Sequence, residues 1–165
     1  MSTRTRILIG VALVELIVAA GFLIAAHRWV QRERATLHIG VWQGEVWVAD
    51  TAAKRHQGLM GQADLAHSRV KGMLFLFPSH HRPVFWMKDT PEPLWLLFVL
   101  RGKVKKVEYM PPCKAGEVCP RYPAPGQVRA AVELSPAAWR GVKASAGMRV
   151  RWHLGDQERR RHQVL

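Results

Sequence analysis

Three consecutive side chains in this sequence could do chemistry. Lys88, Asp89 and Thr90 follow the apolar run Val84-Phe85-Trp86-Met87. A lysine can hold an anion, and a carboxylate and a hydroxyl can orient it. Trp86 beside them could form a stacking wall for a ligand. Glu133 is a second carboxylate, and paired with Asp89 it could make an acid–base couple. Plainer readings stand beside these. Asp and Thr ahead of Pro91 bond their own backbone in a turn. A Trp inside an apolar run is core, and Glu133 reads as an exposed carboxylate paired with one of many Arg. Met60, Met73, Met87 and Met110, with His80-His81, are of types that suit copper(I). Methionines inside apolar runs are more simply gap-fillers, so no metal is expected. Neither a Ser/His/Asp arrangement nor a phosphate-cradling glycine loop is present. No catalytic residue and no cofactor is therefore assigned.

The elements that must position these residues read mostly as strands. Residues 72–77 are a short apolar run with two Phe, and residues 84–90 follow after a proline-flanked turn, so 72–90 reads as a pair of strands. Earlier, residues 37–42 and 45–48 alternate around Gln43-Gly44, a hairpin with a two-residue turn. Asp50 or Thr51 caps a short helix at 52–57, which Gly58 ends. Residues 94–100 are almost wholly apolar, a central strand covered on both faces, and Arg101-Gly102 turns it into 103–110. Residues 111–126 hold five Pro, two Gly and both Cys and must be an irregular loop. Val128, Ala130, Val132 and Leu134 alternate with Arg129, Ala131 and Glu133 as a half-buried strand. Ser135-Pro136 opens a second short helix, and residues 148–154 form the last strand. About seven or eight short strands, two short helices and no βαβ alternation predict a mainly β, mostly antiparallel domain. It should be a sandwich or a partly closed barrel.

At the front of the 165-residue chain, residues 7–26 form an apolar block broken only by Gly10, Gly21 and Glu15. Its length suits a bilayer crossing of roughly 20 residues, and Arg4 and Arg6 precede it as in a secretory n-region. Ala25-Ala26-His27-Arg28 is a poor cleavage site, so an uncleaved transmembrane anchor is expected rather than a signal peptide. The chain then divides into a basic start (1–6), the anchor (7–26), a linker (27–36), the β domain (37–155) and a basic tail (156–165). Net charge is +13, a field that attracts anionic surfaces without naming a partner. An apolar content of 48% excludes a disordered chain.

Four stretches resemble the DUF192 family. They are Arg55-His56-Gln57-Gly58-Leu59-Met60, Gly72-Met73-Leu74-Phe75-Leu76-Phe77, Phe85-Trp86-Met87-Lys88-Asp89-Thr90 and Ala131-Val132-Glu133-Leu134. The resemblance implies a compact, mainly β domain, often exported behind a signal peptide or anchor, with no established activity. Two departures stand out. The family usually reads Lys-Asn-Thr where Lys88-Asp89-Thr90 stands, and it usually has an Asp where Trp95 follows Pro93-Leu94. Export precedent orients the chain with its N-terminus in the cytoplasm and its domain facing the periplasm or cell exterior, held at the inner membrane. In that oxidising compartment Cys113 and Cys119 could close a disulfide; in the cytoplasm they would be a free pair.

The expectation is thus a membrane-anchored envelope domain that binds a ligand, small or polymeric, at Trp86, Lys88, Asp89, Thr90 and Glu133. One alternative is an envelope hydrolase using Lys88, Asp89 and Glu133. Another is nucleic-acid or polyanion binding through the Arg-rich surface, which needs a clustered basic face.

Overall fold

The computed structural model describes residue 15 and residues 33–65, 67–114 and 116–155. The chain divides into Met1–Arg32 and Glu33–Leu165, and the fold below is that of the second unit. The expected anchor at 7–26, Glu15 apart, and the tail at 156–165 lie outside the described residues. Among the described residues no helix is long and apolar enough to cross a membrane.

Strands β1 (Arg34–Ile39) and β2 (Trp42–Ala49) form the opening hairpin. Its turn is Gly40-Val41 rather than Gln43-Gly44. Gly40 supplies the left-handed backbone that a tight turn requires, at φ +58°, so Ile39 pairs with Trp42. Val41, expected to face inward, is fully exposed at the tip. β1 also begins at Arg34, so the expected linker at 27–36 gives up its last residues to the sheet.

Helix α1 (Ala52–Gln57) follows. Thr51 caps it: its hydroxyl accepts a hydrogen bond from the Lys54 N–H at 3.2 Å. Gly58 closes the other end by donating to the Lys54 carbonyl at 2.9 Å. The Lys54 ammonium donates to Asp50 Oδ1 at 2.7 Å and pairs with Glu33. Burial pulls the Lys54 pKa down, but its bonds to Asp50 and Glu33 together outweigh that and raise it.

The remaining elements are β3 (Val70–His81), β4 (Val84–Phe85), β5 (Leu94–Leu100), β6 (Lys103–Met110), β7 (Tyr122–Pro123), β8 (Val128–Leu134), α2 (Pro136–Val142) and β9 (Val150–Leu154). Seven strands make one sheet in the order β6-β5-β8-β3-β2-β1-β9. Neighbours are antiparallel except β2 and β3, which are parallel. Helix α1 is therefore a crossover in a βαβ unit that the sequence reading did not anticipate. Six helical residues were too few to signal one beside so many strands. The expected pairing of 72–77 with 84–90 is also corrected. β3 lies between β2 and β8, whereas β4 stops at Phe85 and pairs with β7.

The sheet is no sandwich, because it curls on itself into a half-barrel. At one end its two edges meet: Val104 N–H donates to the Met148 carbonyl at 2.9 Å, and Val150 N–H to the Gly102 carbonyl at 2.8 Å. One apolar cluster draws on all seven strands of the sheet, as only the inside of a curl can, and includes Leu37, Val48, Leu74, Leu97, Val104, Val132 and Val150. α2 plugs it with Ala138 and Val142, and Trp139 lies flat on Trp95 with ring centroids 4.0 Å apart. A second cluster covers the outer face of the central strands, where loops bring Leu59, Leu65, Phe85 and Met87 onto Met73, Phe75, Leu96 and Phe98. β3, β5 and β8 are thus covered on both faces, which is why two of them read as unbroken apolar runs.

Candidate functional site

The double covering changes the meaning of alternation in β8. Val132 and Leu134 face the inner cluster, and Ala131 and Glu133 face the outer one. Glu133 was expected to be an exposed carboxylate. It sits instead between Met73 of β3 and Leu96 of β5 and keeps 4% of its surface. Burial away from water disfavours the charged form and pushes its pKa up to about 8. Among the described residues no hydrogen bond or ion pair reaches its carboxyl.

Glu133 is aimed into a cleft of about 600 Å³. One wall is α1 and its exit turn, where all six residues of Arg55-His56-Gln57-Gly58-Leu59-Met60 line the space. The opposite side is aromatic: Phe75 and Phe77 from β3, Phe85 and Trp86 from β4 and beyond. Phe75 and Phe85 meet edge to face at 5.0 Å. Arg121, exposed at the rim, sets its guanidinium 4.3 Å from the Trp86 ring centre, a cation–π contact. Arg55 is held by its own bonds, with Nη1 donating to the carbonyls of Asp50 at 2.6 Å and Leu76 at 2.8 Å. Those two bonds fix α1 against β3 and so fix the width of the cleft.

The cluster Lys88-Asp89-Thr90 does not converge on Glu133. It is a turn. Asp89 is left-handed at φ +51°, a conformation Asn and Asp tolerate better than other side chains, which fits both the residue here and the Asn usual in the family. Thr90 Oγ1 donates to the Lys88 carbonyl at 3.1 Å, and the Asp89 carbonyl accepts from Gly61 N–H at 2.7 Å. Lys88 and Asp89 line a separate cleft of about 560 Å³ beside Cys113 and Cys119, although the Lys88 ammonium also lies 5.6 Å from the centre of the Trp86 ring. Thr90, which is buried, borders both clefts. The hydrolase triad of Lys88, Asp89 and Glu133 is therefore not assembled, and Glu133 is the one carboxyl lining its cleft among the described residues. Trp86 is half-buried and lies at the cleft mouth. Met73, Met87 and Met110 are packed into the cores.

The loop that carries Arg121 is tied down just upstream. Cys113 and Cys119 are joined as a disulfide with Cα atoms 5.4 Å apart. Arg121, Arg55, His56 and the three Phe were not assigned to a site from the sequence. Arg55, His56 and the Phe did lie inside the resembling stretches. Arg121 carried no local signal, since only the fold brings residue 121 over residue 86.

A curled mainly β half-barrel with an aromatic-walled cleft over one buried carboxyl is the class of domain these features define. The DUF192 profile, described as an uncharacterized ACR, matches residues 35–152, and the chain belongs to that family. No curated protein matches it. A solved structure from Sinorhizobium meliloti 1021, described as a "putative transcription regulator", is similar with 25% identity and a TM-score of 0.60. The match covers 73% of this chain and 93% of that one. A protein of unknown function from Novosphingobium aromaticivorans DSM 12444 shares the fold at 24% identity and a TM-score of 0.58, covering 72% and 84%.

Proposed function

We propose that this domain binds a small ligand in the cleft over Glu133, and that residues 7–26 tether it to the inner membrane with the domain facing the periplasm or cell exterior. One observation carries the binding reading. All four stretches on which the family resemblance rests line the same cleft, and the fourth contributes a buried carboxyl with no partner among the described residues. A fold does not need such a group, because burying it without a partner costs stability. The volume lies within the range of small-molecule sites. The lining holds one carboxyl and no nucleophile–base pair, which favours binding over hydrolysis.

A thermal-shift screen on the detergent-solubilised full chain tests this. A stabilising compound should lose its effect in Val84→Trp, which fills the exposed rim of the cleft, and keep it in Lys114→Ala, which alters only the second cleft. The reverse pattern would move the site to the second cleft. Protease added to intact spheroplasts should digest the domain. Protection of the domain until lysis would refute the orientation.

One surface favours a second reading, polyanion binding. Exposed Arg101, Lys103, Lys105, Arg149 and Arg151 gather where the sheet edges meet, with Lys103 bridged to Arg149. Retention on heparin that falls steeply with salt, and falls further in Lys103→Ala/Arg149→Ala, would support it.

A further inference from the structure

We infer that the cleft takes a small amphipathic anion, with its apolar body among Phe75, Phe85 and Trp86, a neutral hydrogen-bonding head on Glu133, and an oxyanion at the mouth on Arg121. This rests on the binding reading above and names the ligand's class.

Charge decides the class. Two guanidinium groups, Arg55 and Arg121, and two imidazoles, His56 and His81, line the space against the single carboxyl of Glu133. Among the described residues no carboxylate pairs with either arginine. Glu133 does not offset them, because burial disfavours its charged form, and even when ionised it is one carboxylate against two guanidinium groups. A cationic ligand would therefore enter a net positive field. An aromatic-walled pocket suited to an ammonium group would line itself with carboxylates, and this lining has guanidinium groups in excess of carboxyls.

Position decides the arrangement. Arg121 is exposed, and its guanidinium carbon lies 4.3 Å from the centre of the Trp86 ring. Among the described residues no hydrogen bond or ion pair occupies its N–H groups, so they can grip an oxyanion in bidentate fashion. Arg55 has committed Nη1 to two backbone carbonyls, so it contributes field more than a grip. At the closed end a protonated Glu133 can donate one hydrogen bond and accept another, which matches a hydroxyl or amide. Between the ends the walls are phenyl and indole rings, so the middle of the ligand must be apolar.

Matched probes test the inference on the detergent-solubilised full chain by calorimetric titration at neutral pH. 4-Hydroxyphenylacetate, 4-hydroxyphenylacetamide and tyramine share a ring and a hydroxyl and differ in the charge of the outer group. Phenylacetate keeps the charge and lacks the hydroxyl. The acid should bind about tenfold more tightly than the amide or the amine, the range of one charge-assisted hydrogen bond. Arg121→Ala should erase that preference. Phenylacetate should bind more weakly than 4-hydroxyphenylacetate to the native chain, and Glu133→Leu should remove the difference. Tyramine binding as well as the acid, with loss of binding in Val84→Trp, would refute the anion class and leave the cleft as a site. Binding that ignores Val84→Trp, or no binding by any probe, would overturn the inference; in the first case the cleft reading falls with it.

Discussion

Glu133→Gln should flatten the pH dependence of stability. A carboxyl in the unfolded chain titrates near its ordinary value of 4.5, and in the folded chain Glu133 titrates at about 8. Below 4.5 it is neutral in both states and the fold is least burdened. As pH rises from 4.5 the unfolded chain ionises first and gains water's solvation of the charge, so stability falls. The fall ends near pH 8, where the folded carboxyl ionises too. At about 1.4 kcal/mol per pH unit, the loss amounts to roughly 5 kcal/mol across that window. That is a large part of the 5–15 kcal/mol typical of a domain. Gln keeps the shape and removes the titration, and any cost of its amide is the same at every pH. Urea unfolding followed by tryptophan fluorescence, on native and variant chains across this range, isolates the effect as the difference between two slopes. Native and variant curves that run parallel within about 1 kcal/mol would refute the burial argument and, with it, the neutral ligand head assigned to Glu133.

Other outcomes follow from the same geometry. A Cβ at Gly72 would stand 1.9 Å from the Glu133 carbonyl oxygen, so Gly72→Ala should separate β3 from β8. It should cost more than about 3 kcal/mol by urea unfolding. Asp89→Asn should be nearly neutral, whereas Asp89→Val forces a β-branched residue into left-handed backbone and should cost about 1–2 kcal/mol in the same assay. Replacing both Cys113 and Cys119 by Ser releases a loop closed over a sequence separation of 6. About 2 kcal/mol of stability should go with it, and the affinity for 4-hydroxyphenylacetate should drop as Arg121 loosens. Unchanged binding in that double variant would mean that the loop holds its place without the disulfide.

Much of the architecture could be read from local pattern. The caps at Thr51 and Ser135, the turn at Arg101-Gly102, and strands β5, β6 and β8 each follow from a side chain acting on its own backbone or from apolar content over a few residues. Trp86 and Thr90 were picked out as site residues, and they line the cleft. Lys88 and Asp89 belong to the same stretch, yet the left-handed turn at Asp89 puts both on a second cleft, with the Lys88 ammonium still 5.6 Å from the Trp86 ring. The alternation in β8 was visible, but its sense was not. Whether the face carrying Glu133 meets water depends on where Leu59, Phe85 and Met87 pack, and they come from distant parts of the chain.

By itself the sequence determined that this is a mainly β domain of the DUF192 family, because strand patterning, caps and four short stretches are local properties. Tertiary structure alone decided that those stretches face one cleft, that β2 and β3 run parallel, and that Arg121 covers Trp86. It also decided that Glu133 is a buried acid rather than a surface charge. The reason is physical: a pKa, a cleft and a cation–π contact depend on groups brought together across the sheet, and solvent exclusion at one residue is a property of all the others packed around it.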